Sequence, residues 1–196
     1  ANYEAFSRGI IANSISRIKS YLNISTTGII TGQYDENVDP KYYNKEKIAL
    51  LAQKNKDEIL GLKVRQSKEV AGELGIKPLK ATIKLAEELG CKVVVHITNP
   101  PCQISELIDL LRKDDVFAHA YQGVGHTILD EKEKVLYAVK AAKKRGVIFD
   151  VCGGRFHYSF EVARAAIQDN FLPDIISTDI VSFSMYQKPV FALPYI

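Results

Sequence analysis

Five residues of types that ligate metals or move protons recur along the chain at near-regular intervals. They are Lys63, His96, His119, Asp150 and Asp179, separated by 33, 23, 31 and 29 residues. Most of them close or interrupt an apolar run. His96 ends the valine run of "CKVVVHIT", Lys63 lies between Leu62 and Val64, and Asp179 follows Ile175-Ile176-Ser177-Thr178. An ammonium is expensive to bury between two aliphatic neighbours, so Lys63 calls for a reason. Neutral imidazoles with a carboxylate suit Zn²⁺ or another borderline divalent ion. A lysine beside such ions becomes useful if its amine loses a proton and is carboxylated by carbon dioxide. The carbamate is then an anion able to bridge two metals, and desolvation lowers a lysine pKa in the direction required.

Taken singly, each residue has a plainer reading. A histidine at a strand end can be a hydrogen-bonded core or rim residue. Lys63 can run its stem along apolar surface and place the ammonium in water, and Asp179 can cap a helix. His126 in "GVGHT" reads as an ordinary loop residue, whereas His157 in "GGRFHYS" either lines a pocket or does not. Cys91, Cys102 and Cys152 read as small core or rim residues rather than as thiolates. What favours chemistry is the conjunction of these types at successive strand ends.

The elements that must position them are legible as a repeat. β-branched apolar stretches at 16–25, 58–67, 91–98, 115–122, 146–153 and 174–180 each precede an amphipathic or turn-rich segment. The helical pattern is clearest in "IKPLKATIKLAEELG", with Leu79, Ile83, Ala86 and Leu89 on one side and Gly90 as a stop signal. "KEKIALLAQKNK", "ISELIDLLRK", "EKEKVLYAVKAAKKRG" and "YSFEVARAAIQDN" read the same way. Strand–helix alternation with near-continuous apolar strands predicts a parallel α/β sheet covered on both faces. The spacing of the candidate residues matches the roughly 30 residues of one βα unit. Six units are countable against the eight of a (β/α)8 barrel, which leaves an open doubly wound sheet or an incomplete barrel. In either architecture a ligand site forms at the carboxyl ends of the strands. The Asn99-Pro100-Pro101 break then starts a loop on that face. No linker divides residues 1–196, which read as a single domain.

Composition narrows the partners. The 196 residues are 46% hydrophobic and 25% charged, ordinary for a globular chain. Net charge is +3, and the 26 Lys and Arg are interspersed among 23 Asp and Glu without a nucleic-acid-binding stripe. The three cysteines form no CxxC pair, which favours a reducing, cytoplasmic setting. Neither an apolar run of membrane-spanning length nor a signal peptide shows. A small-molecule substrate is therefore expected, without nucleic acid or membrane; a homo-oligomer stays open.

Lys, His, His and Asp at successive strand ends resemble the binuclear amidohydrolase superfamily. More closely, "GLKVRQS", "VVVHITNPP", "DVFAHAYQG", "GVIFDVCGG" and "PDIISTDI" are similar to its dihydroorotase-like deacetylase branch, from about residue 2 onward. The resemblance implies a TIM barrel whose strands three to eight are present here. It implies two divalent ions, most simply Zn²⁺, with Lys63 as the carboxylated bridging ligand and His96 and His119 on the second metal. Asp179 would touch metal and act as general base, and Arg155 and His157 would orient substrate. The chain departs from the pattern in three places. Its four histidines include no first-strand His-x-His pair, so the first two βα units are expected to be absent. Cys152-Gly153-Gly154-Arg155 stands where relatives often have Gly-His-Gly. The small β domain common in the superfamily is likewise expected to be absent. The implied activity is amide or ester hydrolysis by metal-activated hydroxide, as in a deacetylase or a cyclic amidase. Two rivals remain: a phosphate-binding barrel lyase or aldolase with Lys63 as Schiff base and "GGRFH" as phosphate loop, and an inactive barrel fragment.

Overall fold

The computed structural model describes residues 2–28, 36–154 and 156–181. Arg155, one of the expected substrate contacts, lies outside the described residues. The chain opens with α1 (Tyr3–Gly9) and β1 (Ser20–Asn23), followed by α2 (Lys45–Lys54) and β2 (Ile59–Arg65). Next come α3 (Lys68–Ala71), α4 (Lys77–Leu89), β3 (Lys92–His96), α5 (Ile104–Ile108) and β4 (Val116–Ala118). The described part closes with α6 (Tyr137–Arg145), β5 (Ile148–Asp150) and α7 (Phe160–Gln168).

Five strands form one sheet in the order β1-β2-β3-β4-β5, and every neighbouring pair is parallel. Parallel neighbours need a crossover, and the intervening helices supply it. The sixth expected stretch, 174–180, joins as a single parallel bridge between Asp150 and Ile175. The N–H groups of Val151, Gly153 and Gly154 donate to the carbonyls of Ile175, Ser177 and Thr178 at 3.0, 3.1 and 2.9 Å. This stretch therefore follows the chain beyond β5 without a regular ladder, because Cys152 and Asp179 adopt positive φ of 43° and 49° and bend the two backbones. The architecture is α/β, a partial barrel of parallel strands.

The register sorts the side chains. Lys63 pairs with Val94 and Arg65 with His96; Val94 and His96 pair in turn with Val116 and Ala118, and these with Ile148 and Asp150. Side chains alternate along each strand, so this row shares one face of the sheet. The opposite face carries Leu62, Val64, Val93, Val95, Phe117 and Phe149, all within 1% of complete burial. That face packs on helices; α4 contributes Leu79, Ile83, Leu85 and Ala86 to it. Burying one such aliphatic side chain stabilises by about 1.5–3 kcal/mol, which anchors the site-bearing face from behind.

Helix ends follow local chemistry. Gly90 terminates α4 at φ 64°, a left-handed cap, and Cys91 N–H returns to the Ala86 carbonyl at 2.9 Å. Two expected helices are shorter than their patterns. Residues 131–136 do not extend α6, because the Asp130 carboxylate accepts the backbone N–H groups of Lys132 and Lys134 and holds a turn. Likewise α5 stops at Ile108, and the Asp115 carboxylate captures the Arg112 N–H at 2.8 Å. Among the described residues no helix is long and apolar enough to cross a membrane.

Candidate metal centre

At the carboxyl end of the sheet, β2 presents Lys63 and Arg65 on the site face, and β3 ends on His96. The chain leaves β4 at Ala118 and turns at once, placing His119 at φ 66°. Histidine is among the residues that tolerate this left-handed region. Ala120 N–H donating to the Asp150 carbonyl at 3.0 Å and Gln122 N–H to the His119 carbonyl at 3.0 Å fix the turn. As a result His96 and His119 are only 6% and 1% exposed, with ring centroids 4.3 Å apart at 75°.

The ring nitrogens converge. His119 Nδ1 lies 2.7 Å from the Cys152 carbonyl oxygen, and His119 Nε2 lies 2.7 Å from His96 Nδ1. His157, from the loop before α7, joins them at centroid distances of 5.0 Å from His96 and 4.3 Å from His119. Its Nδ1 is 2.9 Å from Thr98 Oγ1, and its Nε2 is 3.9 Å from Asp179 Oδ2. One ligand atom from each of His96, His119 and His157 lies within 4.8 Å of the others, and the same is true of His119, Cys152 and Asp179. Lys63 lies near enough to contribute to the electrostatics of all three imidazoles, Cys152 and Asp179. The structure thus brings Lys63, His96, His119, His157 and Asp179 to one place. His126 is exposed elsewhere.

Burial sets the protonation states. Desolvation, then the His119 ring and the Lys63 and Arg65 cations, holds His96 far below the usual imidazole range. Desolvation and His157 lower His119 to about 3, against the opposing hydrogen bond to Cys152. Desolvation with Arg65 and Lys63 lowers His157 to about 4. All three rings are neutral near pH 7, the form that binds metal. Burial raises Asp179, with Lys63 and Arg65 pulling the other way. Burial and the Asp179 and Asp150 carboxylates push the Cys152 thiol up to about 12. Asp150, also raised by burial, accepts the Ser177 hydroxyl at 2.8 Å and Cys152 N–H at 3.0 Å. Its role is to tie the 174–180 stretch to β5.

Hydrogen counting tests whether a cation fits. A carbonyl can only accept, so His119 Nδ1 carries the proton and its Nε2 presents a lone pair to His96. If His96 answers with Nδ1–H, its Nε2 is a bare lone pair; if not, two lone pairs face each other at 2.7 Å. His96 Nε2 is buried without a hydrogen-bond partner among the described residues. A divalent cation resolves the conflict by accepting lone pairs from both rings. The carbonyl behind His119 is the outer contact that usually orients a ligating histidine. The residues present fit a borderline divalent ion.

Three participants are not evident from sequence. Arg65 has a signal, its position two residues after Lys63 and hence on the same face. Thr98 and Cys152 have none, because their contacts are set by how the loops return. Arg65 Nη1 stands 3.9 Å from Glu36 Oε2, and Asn23 Nδ2 donates to Glu36 Oε1 at 2.9 Å. Neither Arg65 Nε nor Glu36 Oε2 has a hydrogen-bond partner among the described residues.

The chain matches no protein-family model. It is 32% identical over 94% of its length to a deacetylase of Brucella anthropi and 33% identical over 94% to a deacetylase of Agrobacterium fabrum. In each case it covers 46% of the relative, so the chain spans about half the length of the curated proteins it matches. Its fold superposes on a crystal structure of a dihydroorotase with a TM-score of 0.83 at 33% identity, covering 92% of this chain and 47% of that one. It superposes on an adenine deaminase with a TM-score of 0.88 at 29% identity, covering 98% and 52% of the two chains.

Proposed function

We propose that this chain, which belongs to the amidohydrolase superfamily, carries metal-holding residues of a hydrolase that cleaves an amide or ester bond in a small acyl compound. The observation behind this reading is the meeting of His119 Nε2 and His96 Nδ1 at 2.7 Å, where sharing a proton leaves His96 Nε2 a buried lone pair without a partner among the described residues. His96, His119, Asp179 and a carboxylated Lys63 would hold divalent metal, most simply Zn²⁺. Divalent ions in such a site supply an activated water near neutral pH and polarise the scissile carbonyl.

The protein's own groups do the rest. Burial-raised Asp179 is the general base: its carboxylate takes the proton of the attacking water and returns it to the leaving nitrogen or oxygen. His157 orients substrate beside it, and Arg155 is assigned the same task. The buried rings of His96 and His119 exclude bulk water from one side of the reacting carbonyl. The names of the relatives favour a deacetylase or a cyclic amidase. We place residues 1–196 in one catalytic-barrel domain and the protein in the cytoplasm, with a small molecule as its partner.

The Schiff-base alternative is less well supported, because its phosphate loop would include Gly154. A Cβ placed on Gly154 would sit 3.0 Å from Asp179 Oδ2, so a carboxylate already presses on that turn. The test is hydrolysis of acetyl amides and esters by the complete protein, before and after chelation, with elemental analysis and the mass of the Lys63 peptide. Activity lost on chelation and restored by Zn²⁺ supports the proposal. Full activity in a metal-free protein refutes it, and equal hydrolysis by the Asp179→Asn variant removes the assigned base.

A further inference from the structure

We propose that His157 is a third metal ligand, completing with His96 and His119 a three-histidine site for a single Zn²⁺-class ion. This rests on the metal dependence proposed above and gives His157 a ligand's role in place of the substrate-orienting one.

Geometry carries the inference. His96 ends β3, His119 follows β4 and His157 precedes α7, and their ligand atoms still fall within 4.8 Å of one another. Nitrogen donors on a common tetrahedral centre with Zn–N of about 2.0–2.1 Å stand about 3.3 Å apart, so His157 would close modestly on the pair and His96 and His119 would part slightly from 2.7 Å. His157 is also oriented as a ligating histidine is. Its Nδ1 meets the Thr98 hydroxyl at 2.9 Å, which leaves Nε2 to face the cluster and Asp179 at 3.9 Å. His119 uses its Nδ1 in the same manner on the Cys152 carbonyl. A ligating imidazole characteristically gives its second nitrogen to such an outer partner, and here two of three do so.

The alternative for His157 is a plain relay in which Thr98 O–H donates to Nδ1 and Nε2–H points at Asp179. That arrangement spends both His157 nitrogens outside the cluster, whereas a three-nitrogen site uses the free lone pair of each ring. Three imidazoles would leave one position of a tetrahedral ion open. Asp179 Oδ2 stands 3.9 Å from His157 Nε2, and Asp179 and the Cys152 thiol form an overlapping group with His119.

The experiment loads the chelated full chain with Co²⁺ and with Zn²⁺. Co²⁺ is expected to bind one per chain with the strong visible absorption of a four-coordinate site, and X-ray absorption of the Zn²⁺ form is expected to count three imidazoles. His157→Gln, close in size and able to keep the Thr98 contact, is expected to weaken Zn²⁺ binding by about tenfold or more, and Thr98→Val by about tenfold. His126→Ala is the control and should bind as the parent does. Two imidazoles by X-ray absorption, or parent-like affinity in folded His157→Gln while His96→Ala loses the ion, overturns the third ligand and leaves the metal reading intact. Failure of the parent chain to bind either ion overturns both.

Discussion

His119 donates Nδ1–H to the carbonyl of Cys152 at 2.7 Å, and that one hydrogen bond fixes which of its nitrogens faces His96. The pairing needs His119 at φ 66°, immediately past the last residue of β4. Backbone geometry at one position thus decides the tautomer, and the tautomer decides the chemistry.

The buried imidazoles make stability fall in acid. An unfolded histidine titrates near pH 6.5, whereas His157 and His119 are held at about 4 and about 3 and His96 is also lowered. Between those values the unfolded chain binds protons that the folded chain refuses, so stability is intact above about pH 6.5 and is lost as pH falls below it. Each histidine adds a slope of up to about 1.4 kcal/mol per pH unit within that window. Urea midpoints of the metal-free chain measured from pH 8 to pH 4 should drop accordingly, and His157→Gln should flatten the profile. A midpoint independent of pH would contradict the buried neutral rings.

Arg65 should prove more than a bystander. Its guanidinium helps to depress His96, His119 and His157, and it stands over a Glu36 side chain that is 5% exposed. Arg65→Met is expected to raise the pKa of His157, read by imidazole NMR. It should also cost about 2 kcal/mol, because Glu36 loses its countercharge. Arg65→Met combined with Glu36→Gln should recover most of that loss.

The sheet was readable in the sequence because Leu62, Val64, Val93 and Val95 occupy a helix-covered face and declare themselves by type. Lys63 and His96 were readable as exceptions within the same runs, whereas Arg65 was passed over although it shares the face of Lys63. The shortfalls have local causes. Asp130 and Asp115 turn the chain where helical periodicity continued, through contacts of one carboxylate with nearby backbone N–H groups. The sixth stretch kept its parallel direction but not a ladder, since Cys152 and Asp179 both take positive φ. His157 was legible as a loop histidine that could line a pocket and, through the resemblance, as a substrate contact, but not as a neighbour of His96. Its approach to His96 depends on a loop returning across the sheet end, and no periodicity encodes that.

Asp115 separates stability from site chemistry. Fully buried, its carboxylate accepts Val93 N–H at 2.8 Å, Arg112 N–H at 2.8 Å and the Arg112 side chain at 2.9 and 3.0 Å. It lies at the amino end of β3, opposite the histidines. Asp115→Ala removes the acceptor of four hydrogen bonds and should destabilise by about 3–5 kcal/mol, read from urea unfolding. Zn²⁺ stoichiometry of the fraction that remains folded should not change.

Gly154→Ala tests how Asp179 is held. Gly154 has φ of 52°, where a side chain costs about 1–2 kcal/mol, and its N–H donates to the Thr178 carbonyl at 2.9 Å. An added Cβ would stand 3.0 Å from Asp179 Oδ2, 3.3 Å from Asp179 Cβ and 3.5 Å from His157 Cδ2. The carboxylate must therefore move, while His96 and His119, positioned by β3 and β4, stay in place. The expected result is a stability loss of about 1–2 kcal/mol and a fall in the hydrolytic kcat of the complete protein of about tenfold or more. Zn²⁺ affinity should change far less than in His96→Ala. A variant with parent-like kcat would mean that Asp179 does not act from the position it holds beside Gly154.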